Sequence, residues 1–212
     1  MKKTLSLIAV ASALIFSSQA NANDGVYVGA DLLTSNAEWK YGGDISSIGS
    51  TPQKKVDGTS VGAGLSVGYK KSFNSVFVAP EIFYDYLNSS TKDYYYNTPV
   101  YKQDSLELRS RYGAKANIGY NFSEKFSAYA TYGLVLIDHV DNFPTATTVQ
   151  RSQGKWKTAA IYGIGAVFNI NENLGIKAEI NSQRFNVPYS YDAETMSKVR
   201  LNVLKTGLVY SF

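Results

Sequence analysis

The chain of 212 residues contains no cysteine, a single histidine, five prolines and two tryptophans. Without cysteine there can be no disulfide framework, no thiolate metal site and no lipid-modified cysteine behind a leader. With His139 as the lone histidine, no metal cluster forms, and no phosphate-cradling loop or nucleophile elbow is present, so neither metal nor cofactor is expected. Gly62, Gly64 and Gly68 lie on one strand face without the strand–helix setting of a nucleotide fingerprint, and read as packing. Lysine and arginine form no clustered face, which leaves nucleic-acid binding without support. Past the first residues no window is apolar enough for a spanning helix, which needs roughly 20 apolar residues.

The beginning of the chain reads as a secretory signal peptide. Lys2 and Lys3 give a basic start, Leu5 to Phe16 an uncharged apolar stretch, and Ala20-Asn21-Ala22 a small-x-small cleavage pattern. The expected mature chain, 23–212, has 190 residues; losing two lysines from the 21 basic residues leaves 19 against 17 acidic ones. Its abundant residues are 17 tyrosines, 17 glycines and 10 phenylalanines. Aromatic residues suit strands, and cysteine-free stability would be supplied by a closed hydrogen-bonded sheet.

Alternation of period two recurs along the mature chain, and successive strand side chains point to opposite faces. In Ser105–Asn121 one face carries Leu106, Leu108, Tyr112, Ala114, Ile118 and Tyr120. The other carries Glu107, Arg109, Arg111, Lys115 and Asn117. Val61–Tyr69, Val76–Tyr86, Ala160–Phe168 and Leu174–Ile180 alternate in the same way. Val26–Thr34 and Phe126–Ile137 are apolar on both faces, so their orientation is not assigned, and a last strand covers about Val199–Phe212. The sum is eight strands, joined alternately by short links (70–75, 121–125, 169–173) and long polar segments (about 36–58, 88–104, 138–155 and 186–198). Aromatics gather at strand ends: Tyr69, Tyr120, Phe168, Tyr210 and Phe212 beside the short links, and Tyr84, Tyr86, Trp156 and Trp39 beside the long ones. The expected fold is an all-β, eight-stranded antiparallel up-and-down transmembrane β-barrel, with short turns inside and long loops outside the cell.

A barrel of eight strands is just wide enough for side chains to fill it. The polar faces supply an expected interior ion-pair network of Glu81, Asp85, Glu107, Arg109, Arg111, Lys115, Lys177, Glu179 and Lys205. In it Glu81 is placed opposite Arg111, Asp85 near Arg109 and Arg111, and Glu179 between Lys205 and Gly165. Such a network makes a polar plug; the alternative is a narrow wet pore. Gly62, Gly64, Gly68, Gly163 and Gly165 on the polar face leave room for long side chains.

The leader, the alternating strands and the terminal Tyr210-Ser211-Phe212 resemble the small outer-membrane β-barrel family, which includes porin-opacity-type surface antigens and the transmembrane domain of outer membrane protein A-like proteins. The resemblance implies that Leu208, Tyr210 and Phe212 form the signal read by the barrel-assembly machinery. It implies outer-membrane lipid and lipopolysaccharide as surroundings, and it covers the mature chain through pattern and ends, without a specific internal motif. With all edges paired, a monomer is the default.

The soluble rival is a lipocalin-like barrel, in which the apolar face would line a cavity and the charges would face water. Some small outer-membrane barrels are lipid A deacylases or palmitoyl transferases and need a histidine with a Ser or Asp partner at the outer rim. Here His139 stands in Asp138-His139-Val140-Asp141 at the start of a long loop, and the deacylase spacing of His to Ser is broken by Asp141. The expectation is therefore a non-enzymatic surface antigen, adhesin-type or envelope-structural barrel. Its loop tyrosines Tyr94, Tyr95, Tyr96, Tyr101, Tyr189 and Tyr191 are candidate contacts, host surface proteins among their partners. A narrow porin is the alternative.

Overall fold

The computed structural model describes residues 24–45, 49–97, 100–144, 149–151, 154–189 and 192–212. The expected signal peptide lies outside them. Nine strands follow in order: β1 (Gly25–Ile45), β2 (Gly49–Phe73), β3 (Val76–Asn97), β4 (Val100–Asn121), β5 (Phe126–Pro144), β6 (Val149–Arg151), β7 (Lys155–Asn169), β8 (Leu174–Tyr189) and β9 (Asp192–Ser211). The short β6 pairs only with the far end of β5. The other eight form a closed antiparallel barrel: neighbours in sequence pair, β1 pairs with β9, and β4 pairs with β5. Closure leaves no ladder edge exposed in the barrel wall, the condition for a sheet to sit in hydrocarbon.

The short links are tight. Asn74 turns β2 into β3 with a φ of 57°, a left-handed conformation that asparagine tolerates better than most residues. Asn171 Oδ1 accepts hydrogen bonds from the backbone N–H groups of Asn173 and Leu174 at 3.0 and 2.8 Å. The segments expected as long loops are instead continuations of the strands. β1 and β2 remain paired to Ile45 and Gly49, β3 and β4 to Asn97 and Val100, and β8 and β9 to Tyr189 and Asp192. Period-two alternation of apolar residues ends near the lipid boundary, but backbone pairing does not require it.

The outward face carries an apolar band around the barrel. Leu32 is 71% exposed, Tyr132 66%, Ile164 64% and Ile118 58%. A water-soluble barrel would not present a continuous band of this kind to solvent, so the lipocalin-like reading is overturned. Aromatics frame the band. Tyr120 with Phe122 and Tyr210 with Phe212 make edge-to-face pairs near the short turns at 5.0 and 5.1 Å, and Tyr112 with Trp156 one at the other rim at 5.1 Å. Trp39 departs from its expected place in that rim: it is buried inside the bore.

One irregularity changes which residues face inward. Between Leu108 and Ser110 the β4–β5 register slips, so that Arg109 is an extra residue on β4. The β3–β4 register slips at the same height, where Asn88 has a φ of 47°. Below this bulge the odd-numbered residues of β4, Arg111 to Asn117, point into the bore; above it Leu106 and Leu108 do, each 1% exposed. A bulge inserts one unpaired residue and so exchanges the two faces beyond it.

Candidate functional site: the filled bore

The bore is stacked in three layers. At the short-turn end Tyr27, Phe77, Ala79, Tyr129 and Val209 form a small apolar cluster. At the other end Leu33, Trp39, Leu87, Leu106, Leu108, Ile137, Ile161, Val187 and Leu201 belong to a larger one. Between them lie the buried charges. The polar plug expected from the sequence is thus polar only at its middle. The reason is that the inward faces of β1, β4, β5, β8 and β9 turn apolar toward the long hairpins.

The charged layer contains four acids, Asp31, Glu81, Asp85 and Glu179, and four bases, Arg111, Lys115, Lys177 and Lys205, each at most 4% exposed. The balance matters because an unpaired buried charge costs several kcal/mol. Arg111 pairs with Asp85 at 2.8 Å, and Lys205 reaches the same carboxylate at 2.6 Å. Lys115 lies between Glu179 at 2.6 Å and Glu81 at 3.3 Å. Lys177 pairs with Asp31 at 3.1 Å. Neutral groups add further hydrogen bonds: Tyr27 Oη donates to Glu81, Tyr129 Oη to Glu179, Asn181 to Glu179, and Arg111 to Asn181 and Gln183. The ring of Phe83 stands among the cations, 4.8 Å from Lys205 Nζ and 5.6 Å from both Lys115 Nζ and the Arg111 guanidinium carbon.

Glycines make this density possible. A Cβ on Gly165 would come within 2.4 Å of the Tyr129 ring, and one on Gly68 within 2.4 Å of the Tyr27 ring. Each tyrosine lies over a glycine of the wall, which is what lets its hydroxyl reach a glutamate. A cavity of about 60 Å³ remains beside this tyrosine layer toward the short turns, bordered by Lys70, Asn117 and Lys177.

Several expected placements change. Glu81 faces Lys115 across β3–β4, not Arg111, whose partner in the ladder is Asp85. The hairpin is paired to Asn97 and Val100, which shifts its midpoint and slides the register by four residues relative to the sequence-based pairing. Glu107 and Arg109 leave the network because they lie at and above the bulge. Arg109 is exposed and bridges to Asp138 at 2.7 Å. Glu179 does oppose Lys205 and Gly165. Asp31 was not anticipated; as the one acid in Gly25–Thr34, a strand with no other charge, it is the signal that could have revealed it. His139 is not a loop residue but an inward residue of β5, paired with Leu108 and 1% exposed. Tyr191 lies outside the described residues. Tyr94, Tyr95, Tyr96, Tyr101 and Tyr189 are placed by backbone alone, in paired strand, and their side chains lie outside the described ones. Leu208, Tyr210 and Phe212 face outward, from 44% to 73% exposed.

A closed antiparallel barrel, apolar and aromatic-rimmed outside and filled by balanced charges inside, defines an integral barrel protein of the bacterial outer membrane. The outer membrane protein beta-barrel domain family matches residues 6–212, and the chain belongs to that family. Among solved structures, the chain is similar to the outer membrane protein OprG from Pseudomonas aeruginosa, with 12% identity over 92% of this chain and 99% of that one and a TM-score of 0.52. It is also similar to Ail, the attachment invasion locus protein of Yersinia pestis, in complex with the heparin analogue sucrose octasulfate (16% identity, 89% and 99% covered, TM-score 0.48). A third is Neisserial surface protein A (18% identity, 89% and 97% covered, TM-score 0.47). No curated protein matches the sequence.

Proposed function

We propose that the protein is a non-enzymatic surface barrel whose bore does not conduct and whose outward hairpins make its contacts, as a surface antigen, adhesin-type or envelope-structural protein. The observation that carries this reading is the filling of the bore: a charge-balanced layer between two apolar clusters occupies the axis with side chains. The short turns face the periplasm and the paired hairpins face outward, the usual orientation of such barrels. Beyond Ser89 the β3–β4 ladder runs eight more residues to Asn97, about 27 Å of strand at roughly 3.4 Å per residue. Tyr94, Tyr95, Tyr96 and Tyr101 lie on this stretch and Tyr189 on another hairpin; these tyrosines, with Tyr191, are the contacts assigned to host surface molecules. Against an enzyme reading stands the burial of His139, which removes it from any solvent-facing rim.

The test is single-channel recording from residues 23–212 folded into a planar lipid bilayer. Inserted, folded protein that stays silent agrees with the closed barrel. Reproducible conductance steps would replace this reading with that of a narrow porin.

A further inference from the structure

On the outward face, β8, β9, β1 and β2 carry a basic row just beyond the apolar band. Arg184 stands directly opposite Arg200, and Lys198 opposite Lys40. Like charges directly opposite one another in a sheet destabilise it. Five cations, Lys40, Lys55, Arg184, Lys198 and Arg200, share the two acids Glu38 and Asp57, a net charge of +3. Both acids are already engaged: Glu38 by Lys40 at 3.2 Å and Lys55 at 3.0 Å, Asp57 by Lys55 at 3.6 Å. The hydrogen bond from Lys55 holds the Glu38 carboxyl below its ordinary range, which keeps it ionised and committed to that lysine. Among the described residues Arg184, Lys198 and Arg200 have no ion-pair partner; Arg200 stands opposite Glu38 in the β9–β1 ladder, but that carboxylate is held by Lys40 and Lys55, and Arg200 Nε is buried with no hydrogen-bond acceptor.

A second, independent feature lies below the row on the same strands. A groove of about 620 Å³ opens on the outer wall, floored by Ala30, Ala63 and Gly207 and walled by Leu32, Tyr86 and Leu208. Small residues on neighbouring strands create it. From Arg200 to Leu208 the strand advances eight residues, about 27 Å, or roughly 20 Å along the barrel axis at the usual tilt. That height is about one leaflet, half of the roughly 30 Å hydrocarbon core plus its headgroups.

We propose that this wall is a binding site for a phosphorylated, multiply acylated glycolipid of the outer leaflet, its phosphates held by Arg184, Lys198 and Arg200 and one acyl chain laid in the groove between β9, β1 and β2. The anionic headgroup supplies the counter-charge that the like-charge pairs lack, and the chain covers an apolar hollow. The neighbouring groove around the barrel provides an internal control. It measures about 680 Å³, lies across β2 to β5 with Ala114 and Leu134 in its lining, and shares Leu65 and Tyr84 with the first, but Arg109 on β4 is already neutralised by Asp138. The proposal rests on the outward orientation of the hairpins and not on whether the bore is closed.

The experiment is native mass spectrometry of the detergent-folded barrel with three probes: bisphosphorylated lipid A, the same lipid without its phosphates, and inorganic phosphate. Retention of bisphosphorylated lipid A alone is the expected result. Arg184→Gln, Lys198→Gln and Arg200→Gln together should weaken it about a hundredfold, at the usual contribution of a basic residue near an anionic lipid surface. Ala63→Trp should weaken it and Ala114→Trp should not. Equal retention of the dephosphorylated lipid would overturn the headgroup assignment, and it needs no variant that could misfold. Equally tight binding of inorganic phosphate would reduce the row to an anion site. Unchanged retention by the triple variant, with its folded gel mobility intact, would remove the basic row from the site. The bilayer recording bears on none of these readouts, so the two proposals can fail separately.

Discussion

Asp85 on β3 and Lys205 on β9 lie 120 positions apart in the chain, and Lys205 Nζ donates to Asp85 Oδ1 at 2.6 Å across the bore. The same carboxylate accepts from Arg111 Nε at 2.8 Å. One acid thus ties β3 to β4 beside it and to β9 three strands away around the barrel.

Removing that acid should be worse than removing either base. Asp85→Ala leaves two buried cations short of a partner, whereas Lys205→Ala leaves Asp85 still held by Arg111. Loss of a buried partner costs about 3–5 kcal/mol, so Asp85→Ala should lower unfolding stability by at least that, and Lys205→Ala by less. Urea unfolding of the barrel in lipid vesicles, followed by gel mobility, measures both. Equal losses would mean that the two pairs are not sharing one carboxylate.

Arg109 and Arg111 make a sharper comparison, because alternation assigns them the same face and the bulge separates them. The Arg109 side chain is 46% exposed and its Asp138 partner 12%, while Arg111 and Asp85 are both at 0%. Partly exposed pairs contribute about 0–1 kcal/mol. Arg109→Ala should therefore leave the unfolding midpoint nearly unchanged, and Arg111→Ala should depress it strongly. Similar effects from the two substitutions would place both arginines inside and contradict the bulge.

That comparison also marks where the sequence is readable. Val76–Tyr86 and Leu174–Ile180 face as their alternation dictates, since below the bulge the outward side of each strand is apolar and the charged residues fall on the inward one. The cross-strand meeting of Glu179 with Lys205 follows from that parity and a correct hairpin midpoint. Above the bulge the bore itself is apolar, so Leu106 and Leu108 satisfy either face and the pattern of Ser105–Asn121 runs unbroken through a reversal. Trp39 misleads for the same reason: an aromatic near a strand end suits the lipid boundary and the upper core equally. The β3–β4 register could not be fixed because the polar stretch 88–104 resembles a loop in composition while pairing as strand. Asp31 was hidden by its setting in a strand apolar on both faces.

The tyrosine–glycine contacts yield a prediction of a different kind, in which two single substitutions should partly cancel. Gly165→Ala brings a Cβ to within 2.4 Å of the Tyr129 ring. The ring must shift, and its hydroxyl then loses the 2.9 Å hydrogen bond to Glu179. Overpacking of this sort costs typically about 1–3 kcal/mol. Tyr129→Ala opens a cavity and removes the same hydrogen bond, so it is destabilising by itself. In the double variant the new methyl enters space that the ring has vacated, and its clash disappears. The loss in Gly165→Ala/Tyr129→Ala should then fall short of the sum of the two single losses by about 1 kcal/mol or more, as neighbouring residues that share a contact behave. Urea midpoints for the four proteins complete the cycle. Additive losses would show that the glycine is required by the ladder of β7 itself, and that the tyrosine over it is incidental.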